Sequence, residues 1–172
     1  MANNGKYLAL TAGVITEETG INVSAGAADA GKLARLDSAG TLPLTMLPAG
    51  VGVEVIAVTT SEALAAGDYV NLWNSTGLKA RKADATAAGK EAIGFVLASA
   101  LISATAQVYL LGTQNTSAVG RTVGARQWLS AASPGTSTET APTATGNIVQ
   151  QLGFATSATN VIFNPSQPIT VA

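Results

Sequence analysis

Gly26, Gly31 and Lys32 are the residues that come nearest to a chemical motif. They match the pattern G-x-x-x-x-G-K, in which backbone amides cradle phosphates and the lysine reaches them. The next residue is Leu33, where the motif needs a hydroxyl to hold magnesium. Gly40 and Pro43 then interrupt any helix whose N-terminus could bind phosphate, so nucleotide binding is not expected. Asp84 to Glu91 has a glycine and a terminal glutamate, as a calcium loop does. Ala85, Thr86 and Ala87 follow Asp84, so the alternating ligands are missing and a turn capped by Asp84 is expected instead. Glu17 and Glu18 are the only adjoining pair among ten acids, and they are expected in solvent rather than as a glycoside-cleaving pair. Lys79, Arg81 and Lys82 form the one basic cluster. It reads first as the solvent face or guarded edge of a strand, and second as a contact to an acidic partner. Trp73 and Trp128 are expected to pack in the core or at a barrel end, with partner contact second.

The chain holds no histidine and no cysteine. The commonest general base, the commonest zinc ligand, every Ser-His or Cys-His pair and every disulfide are therefore absent. An enzyme acting on glycan or cell-wall polymer would need close carboxylates or a Ser-Lys pair in a cleft, and no such constellation is recognisable. No enzymatic activity, metal or cofactor is expected. Charged residues make up only 11% of the chain, against about a quarter in an average domain, and the net charge is −1. That balance supplies no electrostatic footing for nucleic acid. It also leaves little charge to keep copies apart, which points to a protein that lives inside an assembly.

Two segments mimic membrane signals. Lys6 followed by Tyr7 to Ile15 resembles a short export sequence, but Glu17 and Glu18 stand before the small residues where cleavage would fall. Ala92 to Leu111 is uncharged and long enough to span a bilayer. Its Ser99, Ser103, Thr105 and Gln107 suit two buried strands with a turn near 103–105 better, and no membrane partner is expected.

At 172 residues the chain can build a compact core unaided. Residues 1–50 are punctuated by Gly5, Gly13, Gly20, Gly26, Gly31, Gly40 and Gly50, with Pro43 and Pro48 opposing helix. Isolated apolar residues stand along the segment: Leu8, Leu10, Ile15, Ile21, Leu33, Leu36, Leu42, Leu44 and Leu47. A flexible leader is one reading. An extended arm whose anchors bind neighbouring subunits is the favoured one, because termini stay mobile unless tied down.

Residues 51–172 read as an all-β domain, a small barrel or sandwich. Val53, Val55 and Ala57 alternate with Glu54, Ile56 and Val58. Short runs rich in branched or aromatic residues follow at 69–73, 93–97, 107–111, 126–129, 148–152 and 160–163, separated by turn clusters. An internal repeat runs through them. Gly67, Leu72, Gly77, Gly89 and Gly94-Phe95 have counterparts in Gly124, Leu129, Gly135, Gly146 and Gly153-Phe154 at offsets of 57 to 59. Two related β-units could pair their edges, which a lone hairpin cannot do stably.

The run Ser24-Ala25-Gly26-Ala27, Gly31-Lys32-Leu33-Ala34-Arg35-Leu36-Asp37-Ser38-Ala39-Gly40-Thr41-Leu42 and Leu47-Pro48-Ala49-Gly50-Val51-Gly52 resembles tailed-phage virion proteins. Ala66-Gly67-Asp68-Tyr69-Val70, Lys82-Ala83-Asp84-Ala85 and Ile93-Gly94-Phe95-Val96 are similar to the β-barrel of phage capsid decoration, or cement, proteins. Trp128-Leu129-Ser130, Pro134-Gly135 and Leu152-Gly153-Phe154-Ala155 fit the same type. The resemblance covers most of the chain on motifs built mainly of Gly and Ala. It implies a structural virion protein on the outer capsid surface, commonly a homotrimer, that binds the major capsid protein across subunit junctions. A head-fibre or tail-fibre receptor-binding protein is the alternative. The family offers surfaces rather than catalytic residues. The candidate interface is Leu8, Leu10, Ile15, Ile21, Leu33, Arg35, Leu36, Leu42 and Leu47.

Overall fold

The computed structural model describes residues 5–38, 40–43, 46–47 and 53–172. Leu44 and positions 48–52, which the sequence reading includes in the arm, its resemblance and the start of the first strand pattern, lie outside the described residues. The protein is nearly all β. The chain divides into two units, Met1–Gly52 and Val53–Ala172.

In the first unit, β1 (Lys6–Thr11) and β2 (Val14–Thr19) form an antiparallel hairpin. Residues 6–19 are thus a paired ribbon rather than a run of separate anchors. Ala12 and Gly13 make the connection with φ of 54° and 83°. Two successive positive φ values suit a two-residue turn whose twist matches the strands. Beyond the hairpin, Ile21 bridges Ala34 in parallel: Ile21 N donates to Leu33 O (2.9 Å) and Arg35 N donates to Ile21 O (2.8 Å). Gly26–Asp29 is a single 3-10 turn.

The second unit opens with a closed five-stranded barrel. Its strands are β3 (Val55–Thr60), β4 (Tyr69–Asn74), β5 (Leu78–Lys82), β6 (Gly94–Val96) and β7 (Thr105–Tyr109), in the order β3-β5-β4-β6-β7. All pairings are antiparallel except β3–β5, where Thr59 and Thr60 lie in parallel beside Lys79 and Ala80 and close the ring. The inward residues Val58, Leu64, Val70, Ala80, Val96, Ala106 and Val108 form an apolar plug. The uncharged segment 92–111 supplies β6 and β7, joined through Ser103 at a φ of 64°.

The remaining strands are β8 (Gln114–Asn115), β9 (Arg126–Leu129), β10 (Ser137–Thr138), β11 (Ile148–Val149), β12 (Gln151–Ala155), β13 (Val161–Phe163) and β14 (Ile169–Thr170). Five of them form an open sheet in the order β10-β9-β12-β13-β8, and β11 pairs with β14. Tyr69 and Phe95 from the barrel pack with Leu129, Ile148, Leu152 and Phe163 from the later strands in one shared core. Three of those rings meet at centroid distances of 5.7 to 6.4 Å, a range in which aromatic pairs attract beyond their area.

The repeat in the sequence is a repeat of hydrogen bonds. Val70 faces Gly94 as Gln127 faces Gly153, Leu72 faces Ala80 as Leu129 faces Ser137, and Ile56 faces Val108 as Asn115 faces Val161. Gly67 N donates to Val96 O (2.7 Å) as Gly124 N does to Ala155 O (2.8 Å). Leu64 N donates to Ala100 O (2.8 Å) as Arg121 N does to Ala158 O (3.1 Å). The paired glycines have a physical reason. A Cβ on Gly94 would lie 2.6 Å from Tyr109 O, and one on Gly153 would lie 1.8 Å from Ile162 O. Neither position has room for a side chain where two strands cross closely.

Candidate functional site

The hairpin register decides where the predicted anchors go. Side chains alternate across a strand, and Leu8 faces Glu17 while Leu10 faces Ile15. Lys6, Leu8 and Leu10 therefore share one face with Ile15, Glu17 and Thr19. Leu8 and Leu10 are each 73% exposed and Ile15 is 69% exposed. Three branched aliphatic side chains thus form a contiguous apolar patch, flanked by the ion pair of Lys6 with Glu17. The opposite face carries Tyr7, Ala9, Thr16 and Glu18, all half-buried. Tyr7 Oη accepts from Leu33 N at 3.4 Å.

The other predicted residues are placed differently. Leu33 and Leu36 are exposed, while Ile21 and Arg35 are half-buried around the parallel bridge. Arg35 packs against Gly5 and Gly20, so closely that a Cβ on Gly5 would lie 2.9 Å from its Cδ. Leu42 is exposed and Leu47 half-buried, and neither belongs to the hairpin. Leu8, Leu10 and Ile15 are the members that the fold assembles into one surface. Val14, exposed on the other face, was not among the predicted residues. The signal for the patch was the Lys-Tyr-Leu-Ala-Leu alternation ending at Ala12-Gly13.

The residues that could do chemistry are engaged in local structure. Lys32 pairs with Asp29 at 2.8 Å, and this bond, with one from Ala25 N, holds the Asp29 carboxyl below its ordinary range. Burial pushes the Asp84 carboxyl up, but the hydrogen bonds from Thr86 N and Oγ1 and from Lys90 outweigh it, leaving Asp84 below the ordinary range. Two members of the basic cluster, Arg81 and Lys82, are likewise occupied. Arg81 lies over the Trp73 ring at 4.5 Å and donates to Asn71 Oδ1 and Gly89 O, while Lys82 reaches Asp68 at 3.5 Å. Trp73 is half-buried at the barrel wall and donates from Nε1 to Ser61 Oγ. Among the described residues no three Asp, Glu, His or Cys side chains gather to hold a metal, and no helix is long and apolar enough to cross a membrane.

Compared with family models, with curated proteins and with solved structures, the chain matches none of them.

Proposed function

We propose that this chain is a non-enzymatic structural protein of the virion that binds the outer surface of a tailed-phage capsid. It acts as a homotrimer, contacts the major capsid protein and stabilises the junctions between capsid subunits. One observation carries the reading: the hairpin presents Leu8, Leu10 and Ile15 together to solvent on a ribbon of only two strands. A two-stranded hairpin is marginal by itself and gains most when its apolar face is covered. The loose motif resemblance to decoration proteins and the sparse charge support the same reading. The mechanism is multivalent clamping. Each copy contributes modest apolar burial, and joining three copies raises the effective concentration of the second and third contacts.

The test is a titration of the purified chain onto expanded capsids that lack it, read by co-sedimentation and by electron microscopy. The reading requires saturable binding with even coverage of the shell. Attachment confined to one vertex or to the tail would favour a fibre instead, and no attachment would overturn both.

A further inference from the structure

The two halves of the second unit share a hydrogen-bond plan but not their interiors. Where the barrel places Val70, Ala80 and Leu64, the later sheet places Gln127, Ser137 and Arg121 at equivalent positions. Asn115 likewise stands where the barrel has Ile56. Asn115 and Gln127 are both fully buried. The later half is thus a barrel plan whose lining turns polar at these four positions and stays apolar at Leu129, Ala155 and Val161.

It also fails to close. From Ile56 to Ala65 the barrel has eight intervening residues, 57–64, and these carry β3 to its parallel contact with β5. The equivalent stretch from Asn115 to Thr122 has six, 116–121. Two residues of extended chain are about 7 Å, and the seam stays open. A cavity of roughly 190 Å³ lies there, lined by Ser117, Ala118 and Val119 on one side and Gly135, Thr136 and Ser137 on the other. Tyr69 and Arg121 also line it. Tyr69 is 1% exposed, and its Oη stands beside the Ser137 and Asn115 side chains without a well-formed hydrogen bond to either, while the buried Arg121 Nε has no hydrogen-bond partner. Asp68, the acid in the wall, is already engaged by Ala65 N at 2.8 Å and Lys82 at 3.5 Å. Arg121 makes no ion pair within 4 Å among the described residues; its charge acts on Glu139, but that carboxylate is held by Thr122 N at 2.6 Å.

Polar groups taken out of water without partners cost stability, and donors gathered beside a cavity suit a ligand that accepts from them. We propose that this open seam is a binding site for a carboxylate, held by the Arg121 guanidinium and the Tyr69 hydroxyl. A planar guanidinium suits two carboxylate oxygens, and a phenol beside it adds a second donor. The carboxylate belongs either to an acidic side chain of a polypeptide or to a small free acid. This site is separate from the hairpin patch and does not rest on the capsid reading.

The experiment follows backbone amides of the intact chain by NMR during titration with three probes. These are N-acetyl-glutamate N-methylamide, its glutamine counterpart and sodium acetate. The expected result is saturable shifts at Gly67, Ser117, Val119 and Gly135 with the glutamate probe, and binding at least about tenfold weaker with glutamine. Tyr69→Phe and Arg121→Gln each weaken the glutamate probe by about tenfold or more. Tyr69→Phe removes only a hydroxyl and serves as the folded control if Arg121→Gln unfolds. Acetate binding as tightly as the glutamate probe assigns the site to small acids, whereas tighter glutamate binding assigns it to acidic side chains. Equal shifts from the glutamate and glutamine probes, or no saturable shift from any probe, would overturn the proposal.

Discussion

Replacing Leu8, Leu10 and Ile15 together by threonine separates the hairpin's fold from its surface. Threonine keeps the strand preference of the positions while removing most of their apolar area. The three side chains are 73%, 73% and 69% exposed, so they lose little when the protein is alone. Its stability should stay within about 0.5 kcal/mol of the parent, as for most surface changes. Binding is another matter. Fully burying a Leu or Ile side chain contributes about 1.5–3 kcal/mol. With about 70% of each side chain left to cover, the patch contributes roughly 3–6 kcal/mol per copy before ordering costs. That corresponds to a loss of about 100-fold or more in affinity. The assay is co-sedimentation with expanded capsids across a concentration series, alongside urea denaturation of the free protein. Unchanged occupancy by a variant of unchanged stability would refute the assignment of this face.

Four further outcomes follow from particular contacts. Tyr69→Phe removes a buried hydroxyl that makes no well-formed hydrogen bond to its neighbours Ser137 and Asn115, so the free protein should stay within about 1 kcal/mol of the parent in urea titration; a larger loss would contradict the geometry. Gly153→Ala forces a Cβ to within 1.8 Å of Ile162 O at a φ of 144°, so a loss of about 3 kcal/mol or more is expected by the same measurement. Asp84 is held below its ordinary value of 3.8, so it binds its proton less readily folded than unfolded. Its stabilisation is full above that value and is lost as pH falls through the lower folded value. Asp84→Asn should therefore cost up to about 1 kcal/mol at neutral pH, with the difference vanishing in strong acid. Sedimentation equilibrium should give three copies per particle in solution, and a strict monomer at all concentrations would contradict the trimer.

Much of the second unit could be read from the chain alone because its signals are local. Tyr69 to Trp73, Arg126 to Leu129 and the turn glycines announce strands and reversals without reference to anything distant. The repeat was visible for a related reason: Gly94 and Gly153 stand where two backbones leave no room for a Cβ, so the residue type itself records the geometry. The parallel closure of β3 on β5 left no such mark, since residues far apart in sequence meet through backbone groups that every residue has. The hairpin was half legible. Leu8, Leu10 and Ile15 stood out as anchors, but their convergence depends on the turn at Ala12, where a positive φ without glycine gives little warning. The polar seam was hidden altogether. Gln127, Asn115 and Arg121 look like ordinary surface residues until the pairing puts them at the positions that Val70, Ile56 and Leu64 hold in the other half.

The most direct test of the capsid assignment is a cryo-EM reconstruction of the native particle. It should show density for this chain spread over the shell, with Leu8, Leu10 and Ile15 covered by the major capsid protein. Density for the chain elsewhere on the particle, or a shell-bound chain whose hairpin face points to solvent, would contradict it.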